Sequence, residues 1–429
     1  MGNSYRRLVA GVSALGATVL TVALSASAAT AQTTLVVANG ASPPSCAANA
    51  TYNTISAAVA AASSGDTIKV CPGTYPETVQ VNTPNLVIDG NQAGIDPVGG
   101  LPSQVTESIV ASTSGGFILG SSADGTTISG FAIIDAGTTG SNDDGVEAFA
   151  GSSGLTLTDN VIKGNNNGIN MQNPDGTMPA TIQGNVFARN DAGGNIQTNA
   201  NTGTGVFISN GPANNTLIAG NAFSFDSQTA INFAGSGTNL SAGLVVDGNT
   251  STNDSTFVVA INSVNALIEG NTIKTSANAP GGYGTGILDF GSNTGLRIDN
   301  NKVSVTGGTT GASGQSAIHI SADSGTSSVG TTVTSNRTIG YDYGIRLNAG
   351  STSVDVSGNS VSHAIITGID VASGTNGNVI VRNTISNSAS PASDCQDAST
   401  GFLTAGTANT WLHNDGEDNN SSPGAICPV

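Results

Sequence analysis

Only 9% of the 429 residues are charged, and 28 acidic side chains against 11 Lys and Arg give a formal net charge of −17. Because an average globular protein has about a quarter charged residues, Gly (58 residues), Ser, Thr and Asn must supply most of this surface. The scarcity of Lys and Glu argues against an all-helical protein. The negative charge argues against sequence-independent binding to nucleic acid, which needs a basic face. The class of protein that fits this composition is a large β protein with a mostly neutral surface.

Residues 1–31 have the pattern of a secretory signal peptide. The pair Arg6-Arg7 is followed by an apolar run over 8–24, and Ala29-Thr30-Ala31 supplies the small residues of a cleavage site before Gln32. A membrane anchor is the rival interpretation, but the run is short for a span and is interrupted by polar and small residues. We therefore predict a secreted or cell-envelope protein with no membrane span in the mature chain. The choice between Sec and twin-arginine export stays open.

Four cysteines form one local pair near each end of the chain, Cys46 with Cys71 and Cys395 with Cys427. An even number in this arrangement predicts two disulfides and an oxidising compartment. Each bond would close a loop of about 25 to 35 residues and contribute about 3 to 4 kcal/mol in the chain-entropy model. Free thiols or a metal site are the alternatives, although the spacings match no zinc pattern.

The middle of the chain repeats a unit of two short strands, the first of which ends in Asn. The repeated asparagines are Asn160, Asn185, Asn221, Asn249, Asn271, Asn301, Asn336, Asn359 and Asn383. After most of them comes Gly or Ala with alternating aliphatic residues, as in Gly168-Ile169 and Gly344-Ile-Arg-Leu347. A period of this length that contains only short strands predicts a solenoid. Asn tolerates the left-handed turn conformation, and stacked Asn side chains can hydrogen-bond to one another, so we assign these residues a structural role.

Residues 53–62 have apolar side chains at helical spacing, unlike the repeats. The open end of a solenoid exposes its core, so we expect a short amphipathic helix to cover the first coil. We predict one domain over 32–390 that includes this cap. We expect residues 391–429, with Trp411 and the second cysteine pair, to close the other end.

The repeats, together with Tyr52-Asn-Thr-Ile55, Gly65-Asp-Thr-Ile68 and Pro72-Gly-Thr-Tyr-Pro-Glu77, resemble the right-handed parallel β-helix repeat family with the pectin-lyase-like fold. The match covers roughly residues 50–390. The resemblance implies an all-β fold, a right-handed parallel β-helix of about 11 to 13 coils with a short N-terminal capping helix. Many secreted carbohydrate-processing proteins share these repeats, but no specific enzyme family is matched.

Alternation in the strand after each Gly or Ala predicts which side chains point outward on successive coils. That column is Glu147, Asn170, Phe207, Asn232, Asn262, Leu288, His319, Arg346, Asp370 and Leu403. Three ionisable residues, His319, Arg346 and Asp370, follow one another, and stacked coils place such neighbours about 5 Å apart. Asp342 and Tyr343 precede one of these strands, and we expect His363, in a nearby turn, to lie close to them.

This cluster predicts a lyase-like or hydrolase-like site. His319 or Tyr343 would act as general base or acid, and Arg346 would bind a carboxylate or stabilise an enolate. Asp370 would orient these groups or share the proton transfer. The alternative interpretation is a surface ion pair of Arg346 with Asp370, worth about 0 to 1 kcal/mol and without a catalytic role.

A second candidate site is the acidic segment 142–147. Asp143, Asp144 and Glu147 place carboxylate oxygens around a Gly-containing turn, a pattern that suits Ca²⁺. Calcium is the one cofactor that the sequence suggests.

Two enzyme motifs are matched only in part. Segment 142–147 and Gly344-Ile-Arg-Leu347 resemble polygalacturonase motifs, but Asn166-Asn167-Gly168 replaces paired aspartates, no Gly-His-Gly follows, and Asn348 stands where a lysine is expected. Gly73-Thr-Tyr-Pro-Glu77 resembles the opening motif of pectin methylesterases, whose later motifs are missing. We therefore expect neither a standard polygalacturonase nor a pectin methylesterase, and we interpret residues 73–77 as a structural turn.

Two functions remain from the sequence. The first is binding or processing of an extracellular polysaccharide on the outer face of the coils, because a long groove beside a solenoid suits a linear polymer. The second is a non-catalytic cell-surface, matrix or adhesion rod, favoured by the low aromatic content of 4% and by the lack of a complete catalytic motif.

Overall fold

The structure is a computed structural model. It describes residues 32–97, 106–134, 144–148, 151–190, 203–234, 240–280, 282, 284–307, 314–321, 328–386, 388, 393–417 and 420–429. The predicted signal peptide at 1–31 and Asp143 therefore lie outside the described residues. Two helices, α1 (Pro44–Ala47) and α2 (Ile55–Ala61), and a 3₁₀ turn at Thr404–Gly406 accompany short strands.

The strands follow one another through the chain with turns of variable length between them. The first twenty are β1 (Thr34–Val37), β2 (Thr67–Val70), β3 (Gly73–Tyr75), β4 (Val79–Val81), β5 (Val87–Asp89), β6 (Ser108–Ala111), β7 (Phe117–Leu119), β8 (Thr127–Ser129), β9 (Phe131–Ile134), β10 (Val146–Ala148), β11 (Thr156–Thr158), β12 (Val161–Lys163), β13 (Asn167–Asn173), β14 (Thr181–Gln183), β15 (Val186–Ala188), β16 (Thr204–Ala213), β17 (Leu217–Ala219), β18 (Ala222–Ser224), β19 (Thr229–Ala234) and β20 (Ser241–Ala242). The others are β21 (Val245–Asp247), β22 (Thr250–Thr252), β23 (Thr256–Ile261), β24 (Ser263–Val264), β25 (Leu267–Glu269), β26 (Thr272–Ser276), β27 (Ile287–Phe290), β28 (Arg297–Asp299), β29 (Lys302–Thr306), β30 (Ser316–Ser321), β31 (Thr332–Thr334), β32 (Arg337–Ile339), β33 (Tyr343–Leu347), β34 (Asp355–Ser357), β35 (Ser360–Ser362), β36 (Thr367–Val371), β37 (Val379–Val381), β38 (Thr384–Ser386), β39 (Ser393–Asp397), β40 (Thr410–Leu412) and β41 (Ser421–Ser422).

These strands form three long parallel sheets, which the chain visits in the order A, B, C on each full coil from β2 to β39. Sheet A has 14 strands (β1-β2-β5-β8-β11-β14-β17-β21-β25-β28-β31-β34-β37-β40), and sheet B has 12 (β3-β6-β9-β12-β15-β18-β22-β26-β29-β32-β35-β38). Sheet C has 13 (β4-β7-β10-β13-β16-β19-β23-β27-β30-β33-β36-β39-β41), and β20 pairs with β24 separately. The predicted all-β fold, a parallel β-helix, is confirmed, and the sheet sizes agree with the expected number of coils.

The core of the helix is a narrow stack of aliphatic and aromatic side chains that runs the length of the coils. The central residue of each sheet A strand points inward, as Leu157, Ile182 and Ile218 do on successive coils. Phe187 and Phe223 stack with ring centroids 4.9 Å apart. Because each coil contributes only a few apolar side chains, stability has to come from the sum of many similar interfaces.

The repeated asparagines form a continuous hydrogen-bonded ladder at the turn from sheet A to sheet B. From Asn160 to Asn414, each side-chain amide donates to Oδ1 of the Asn on the next coil at 2.9 to 3.1 Å. The same amides also donate to main-chain carbonyls, as Asn271 does to Val246 at 3.0 Å. This ladder supports the structural role predicted for these residues and keeps buried turns free of unsatisfied main-chain groups.

Close packing between coils explains the Gly or Ala that precedes the aliphatic pair on sheet C. A Cβ at Gly168 would lie 2.5 Å from the carbonyl oxygen of Gly205, and one at Gly368 would lie 2.5 Å from Cγ2 of Ile385. Ala230 and Ala317 stand at the corresponding positions of other coils. Packing between coils therefore requires a small residue, Gly or Ala, at this position.

Helix α2 covers the N-terminal coil as expected. Ile55, Ala58 and Val59 are buried against the core. The helix begins after Thr54, whose side chain accepts a hydrogen bond from the amide of Ala57, and the Glu77 carboxylate accepts from the amides of Ile55 and Ser56 at 2.8 and 2.9 Å. A carboxylate at a helix N-terminus is stabilising. The run 73–77 thus comprises strand β3 and this cap, consistent with a structural role.

Both predicted disulfides are confirmed, as Cys46 is bonded to Cys71 and Cys395 to Cys427. They close loops with sequence separations of 25 and 32 residues. Beyond residue 390, β39 and β41 extend sheet C and β40 extends sheet A. Trp411 is buried in β40 and donates its Nε1 hydrogen to Oδ2 of Asp397 at 2.7 Å.

Candidate functional site

One row of outward-facing residues crosses sheet C, and we call it the outer row. It consists of Gln80, Ile118, Glu147, Asn170, Phe207, Asn232, Val259, Leu288, His319, Arg346, Asp370 and Gln396, each in register with the next. Eight of the ten predicted members are therefore in place.

Two predicted members of this row were wrong. Val259, not Asn262, pairs with Asn232, because β23 begins at Thr256 and Asn262 follows the end of that strand with a left-handed φ of 53°. Gln396, not Leu403, pairs with Asp370, because the last full strand of the sheet is β39.

Arg346 and Asp370 form an ion pair on neighbouring strands of the outer row. Nε of Arg346 donates to Oδ2 of Asp370 at 3.1 Å, and the two side chains are 29% and 11% exposed. Cζ of Arg346 lies 4.4 Å from the centroid of the Tyr343 ring. Burial raises the pKa of Asp370, and the positive charge of Arg346 opposes that rise. Asp370 and Tyr343 thus hold the guanidinium in place while it keeps part of its surface open.

His319 lies on the strand before Arg346, with the Cα atoms of the two residues in register. Its Nε2 atom is buried and has no hydrogen-bond partner. Burial lowers the pKa of His319, the charge of Arg346 lowers it further, and the neighbouring Asn348 side chain acts in the opposite direction. The imidazole is therefore neutral near pH 7 and retains a nitrogen that can accept a proton.

The other two residues of the predicted cluster have different surroundings. Asp342 is fully buried, and its Oδ2 accepts a hydrogen bond from the amide of Gln315 at 3.2 Å. His363 follows β35 with a left-handed φ of 57°, and its amide donates to the carbonyl oxygen of Ser386. Among the hydrogen bonds and ion pairs of the described residues, none joins His363 to His319 or Arg346. The structure therefore brings together His319, Tyr343, Arg346 and Asp370.

The acidic segment supplies a second polar cluster near the N-terminal end of the same face. Asp144 is only 1% exposed, and its Oδ1 accepts hydrogen bonds from the main-chain and side-chain amides of Asn167 at 3.1 and 2.9 Å. Burial raises the pKa of Asp144 to about 6 and also raises the pKa of Glu147. Glu147 is in register with Asn170. Sequence reasoning placed Asn170 in the outer row but did not connect it with the acidic residues.

These two clusters are far apart along the outer row. Five strand-to-strand steps separate Asn170 from His319, which corresponds to about 24 Å at the usual strand spacing. Phe207, Asn232, Val259 and Leu288 occupy the row between them. Among the described residues, no group of three or more His, Cys, Asp or Glu side chains is placed to hold a metal ion.

Sequence comparisons identify no relative, since no family model and no curated protein matches the chain. Solved structures do match in fold. The surface adhesin PfbA of Streptococcus pneumoniae aligns with a TM-score of 0.55 and 14% identity over 85% of this chain and 88% of its own. An alginate lyase from Paenibacillus sp. str. FPU-7 aligns with a TM-score of 0.44 and 14% identity over 76% of this chain and 94% of its own.

A third match is the Dettilon tailspike protein (gp208), with a TM-score of 0.46 and 16% identity over 76% of this chain. The chain spans 59% of the length of that tailspike. At these identities the matches show a shared fold and no more. The part of the chain that the structure describes contains no helix of the length and hydrophobicity needed to span a membrane.

Proposed function

We propose that the protein binds an extracellular polysaccharide along the outer row of sheet C and acts on it at His319 and Arg346. The observation that carries this proposal is the neutral imidazole of His319 one strand away from a partly exposed guanidinium. Asp370 and Tyr343 fix the position of that guanidinium. In such an arrangement the cation binds the carboxylate of the substrate, and the proton acceptor removes a proton from the carbon next to that carboxylate.

These groups suit β-elimination on a uronate polymer. Arg346 would pair with the sugar carboxylate, and the imidazole of His319 would take the proton from the adjacent C5. The electrons of that C–H bond would form the C4–C5 double bond as the C4–O bond breaks, and Tyr343 or water would protonate the leaving oxygen. Most glycoside hydrolases use two carboxyl groups that flank the scissile bond. Of the carboxyl groups in the predicted cluster, Asp370 is ion-paired and Asp342 is fully buried.

The charge of the protein makes Arg346 important for such a substrate. A net charge of −17 repels a polyanion over distances comparable to the Debye length, so a local cation is needed for binding. Only one ion pair, Arg346 with Asp370, occurs among the described residues, and the guanidinium retains donors for a second carboxylate.

The test is turnover of a panel of uronate, galactan and glucan polymers, followed by ultraviolet absorbance for unsaturated products and by a reducing-end assay. We expect unsaturated products from a uronate polymer, and we expect His319→Ala to reduce kcat by at least about 100-fold. Arg346→Ala should raise KM as well as lower kcat. Arg337→Ala, an exposed arginine on sheet B, is the matched control and should leave both constants unchanged. Reducing ends without unsaturation would indicate hydrolysis, and undiminished turnover by His319→Ala would refute the assignment of the base.

A second candidate function is a non-catalytic adhesion rod. The similarity in fold to the adhesin PfbA, at a TM-score of 0.55, favours it, as does the continuous asparagine ladder that stiffens the coils. Polysaccharide binding without turnover, unchanged in His319→Ala, would support this function. The two disulfides fit the extracellular location that both functions require.

A further inference from the structure

Three buried side-chain oxygen atoms, each without a hydrogen bond of good geometry, lie on or next to the paired strands β10 and β13, in the N-terminal part of the outer row. They are Oδ2 of Asp144, Oε2 of Glu147 and Oδ1 of Asn170. Glu147 and Asn170 face outward from β10 and β13 at paired positions. The Asn170 side chain hydrogen-bonds to the Asp144 carboxyl group and lowers its pKa, whereas the negative charge of Glu147 raises it. Buried acceptors are normally hydrogen-bonded, so three together require an explanation.

Asn167 and Asn170 both act on the Asp144 carboxyl group, but neither of them brings a positive charge. The donors of Asn167 are directed to the other carboxylate oxygen of Asp144, at 2.9 and 3.1 Å. The single ion pair found within the described residues is at Arg346, on the far side of Phe207 and Leu288. Burying carboxylates without a counter-charge is costly, so the site favours a ligand that is positively charged and binds oxygen.

We propose that Asp144, Glu147 and Asn170 form a binding site for a divalent cation, for which Ca²⁺ is the best match. Ca²⁺ takes oxygen ligands from carboxylates, amide carbonyls and water in flexible geometry, which suits two carboxylates and one amide supplemented by water. The site differs from the sequence prediction, since Asn170 joins Asp144 and Glu147 while Asp143 lies outside the described residues. It shares no residue with the His319–Arg346 site, so either proposal can fail without the other.

The experiment is calorimetric titration of the full chain, freed of metal by a chelator, with CaCl₂ and then MgCl₂ at constant ionic strength. Thermal unfolding is followed in the same buffers. We expect saturable binding of one Ca²⁺ per chain and a higher unfolding midpoint, because a ligand that binds the native state stabilises it. Asp144→Asn and Glu147→Gln should each weaken binding by about ten-fold or more, since affinity follows the number of charged ligands.

Two further variants distinguish a cation site from a merely structural cluster. Asn170→Asp adds a third carboxylate and should tighten Ca²⁺ binding, whereas without a cation it would only add repulsion and lower the midpoint. Asp175→Asn removes an exposed carboxylate elsewhere and should change nothing in the titration. Absence of any Ca²⁺-dependent heat or midpoint shift in the folded wild-type chain would overturn the proposal. So would equal Ca²⁺ shifts in the wild type, Asp144→Asn and Glu147→Gln. If the two charge-removing variants fail to fold, the gain expected in Asn170→Asp still decides the question.

Discussion

The side-chain amide of Asn249 donates to Oδ1 of Asn271 at 3.0 Å, and the amide of Asn271 repeats the contact to Asn301 at 2.9 Å. Oδ1 of Asn271 also accepts from the main-chain amide of Asn249 at 2.9 Å. Each ladder residue therefore satisfies groups on the coils at both sides, and a break in the ladder affects three coils together.

Replacing one ladder residue should lower the free energy of unfolding substantially. Asn271→Ala removes the acceptor of the Asn249 amide and the donor to Val246, and we expect it to lower the free energy of unfolding by about 2 to 4 kcal/mol. Urea unfolding followed by circular dichroism measures this difference. Asn278→Ala, at an exposed position, is the control and should cost less than about 0.5 kcal/mol. Equal effects of the two substitutions would show that the ladder adds no stability.

Asp254 should make the protein less stable as the pH rises. It is 2% exposed, its Oδ2 accepts from Ser251 and its Oδ1 from the amide of Asp226, and burial raises its pKa to about 7. The native state therefore holds a proton that the unfolded chain releases near its ordinary pKa of about 3.9. The contribution of Asp254 to stability is therefore greatest below that value, falls between about pH 4 and pH 7, and is constant above.

The variant Asp254→Asn tests this dependence because it is nearly isosteric and does not titrate. We expect it to be more stable than the wild type at pH 8 and to lose much of that advantage at pH 5, as measured by urea unfolding at both values. Asp175→Asn, on an exposed carboxylate, serves as the control. A difference between Asp254→Asn and the wild type that does not change with pH would contradict the prediction.

Gly368 should not tolerate a side chain. A Cβ there would lie 2.5 Å from Cγ2 of Ile385 and 2.6 Å from the carbonyl oxygen of Asp394, so Gly368→Ala must push neighbouring coils apart. We expect a loss of about 1 to 3 kcal/mol in the free energy of unfolding, the usual cost of overpacking. Gly424→Ala, where nothing lies within 4 Å of the added atom, is the matched control. Equal urea midpoints for the two variants would show that the coils can separate at little cost.

The Arg346–Asp370 pair should add little to stability, whatever it does for function. Because the arginine side chain is 29% exposed, solvent screening limits the pair, and we expect a coupling energy below about 1 kcal/mol from a double-mutant cycle of Arg346→Ala with Asp370→Asn. A coupling above about 2 kcal/mol would point instead to a desolvated structural pair.

Much of this protein follows from short-range patterns in the sequence. The coils and their turns are predicted by the repeated Asn after the sheet A strands and by the Gly or Ala before the aliphatic pair, because these positions have the same packing on successive coils. The two disulfides are predicted by the two cysteine pairs. Alternation within strands likewise predicts most of the outer row, including the neighbours His319, Arg346 and Asp370.

The low charge of the chain is thus determined locally, since a narrow aliphatic core and Asn- and Gly-rich turns leave few positions for Lys or Glu. What only the tertiary structure decides is the register of coils of unequal length and the partners of individual polar atoms. Variable turns place Val259 rather than Asn262 in the row, and stacking brings the carboxyl group of Asp144 near Glu147 and Asn170. Both outcomes depend on contacts between coils more than 20 residues apart in the chain, which no pattern within one repeat contains.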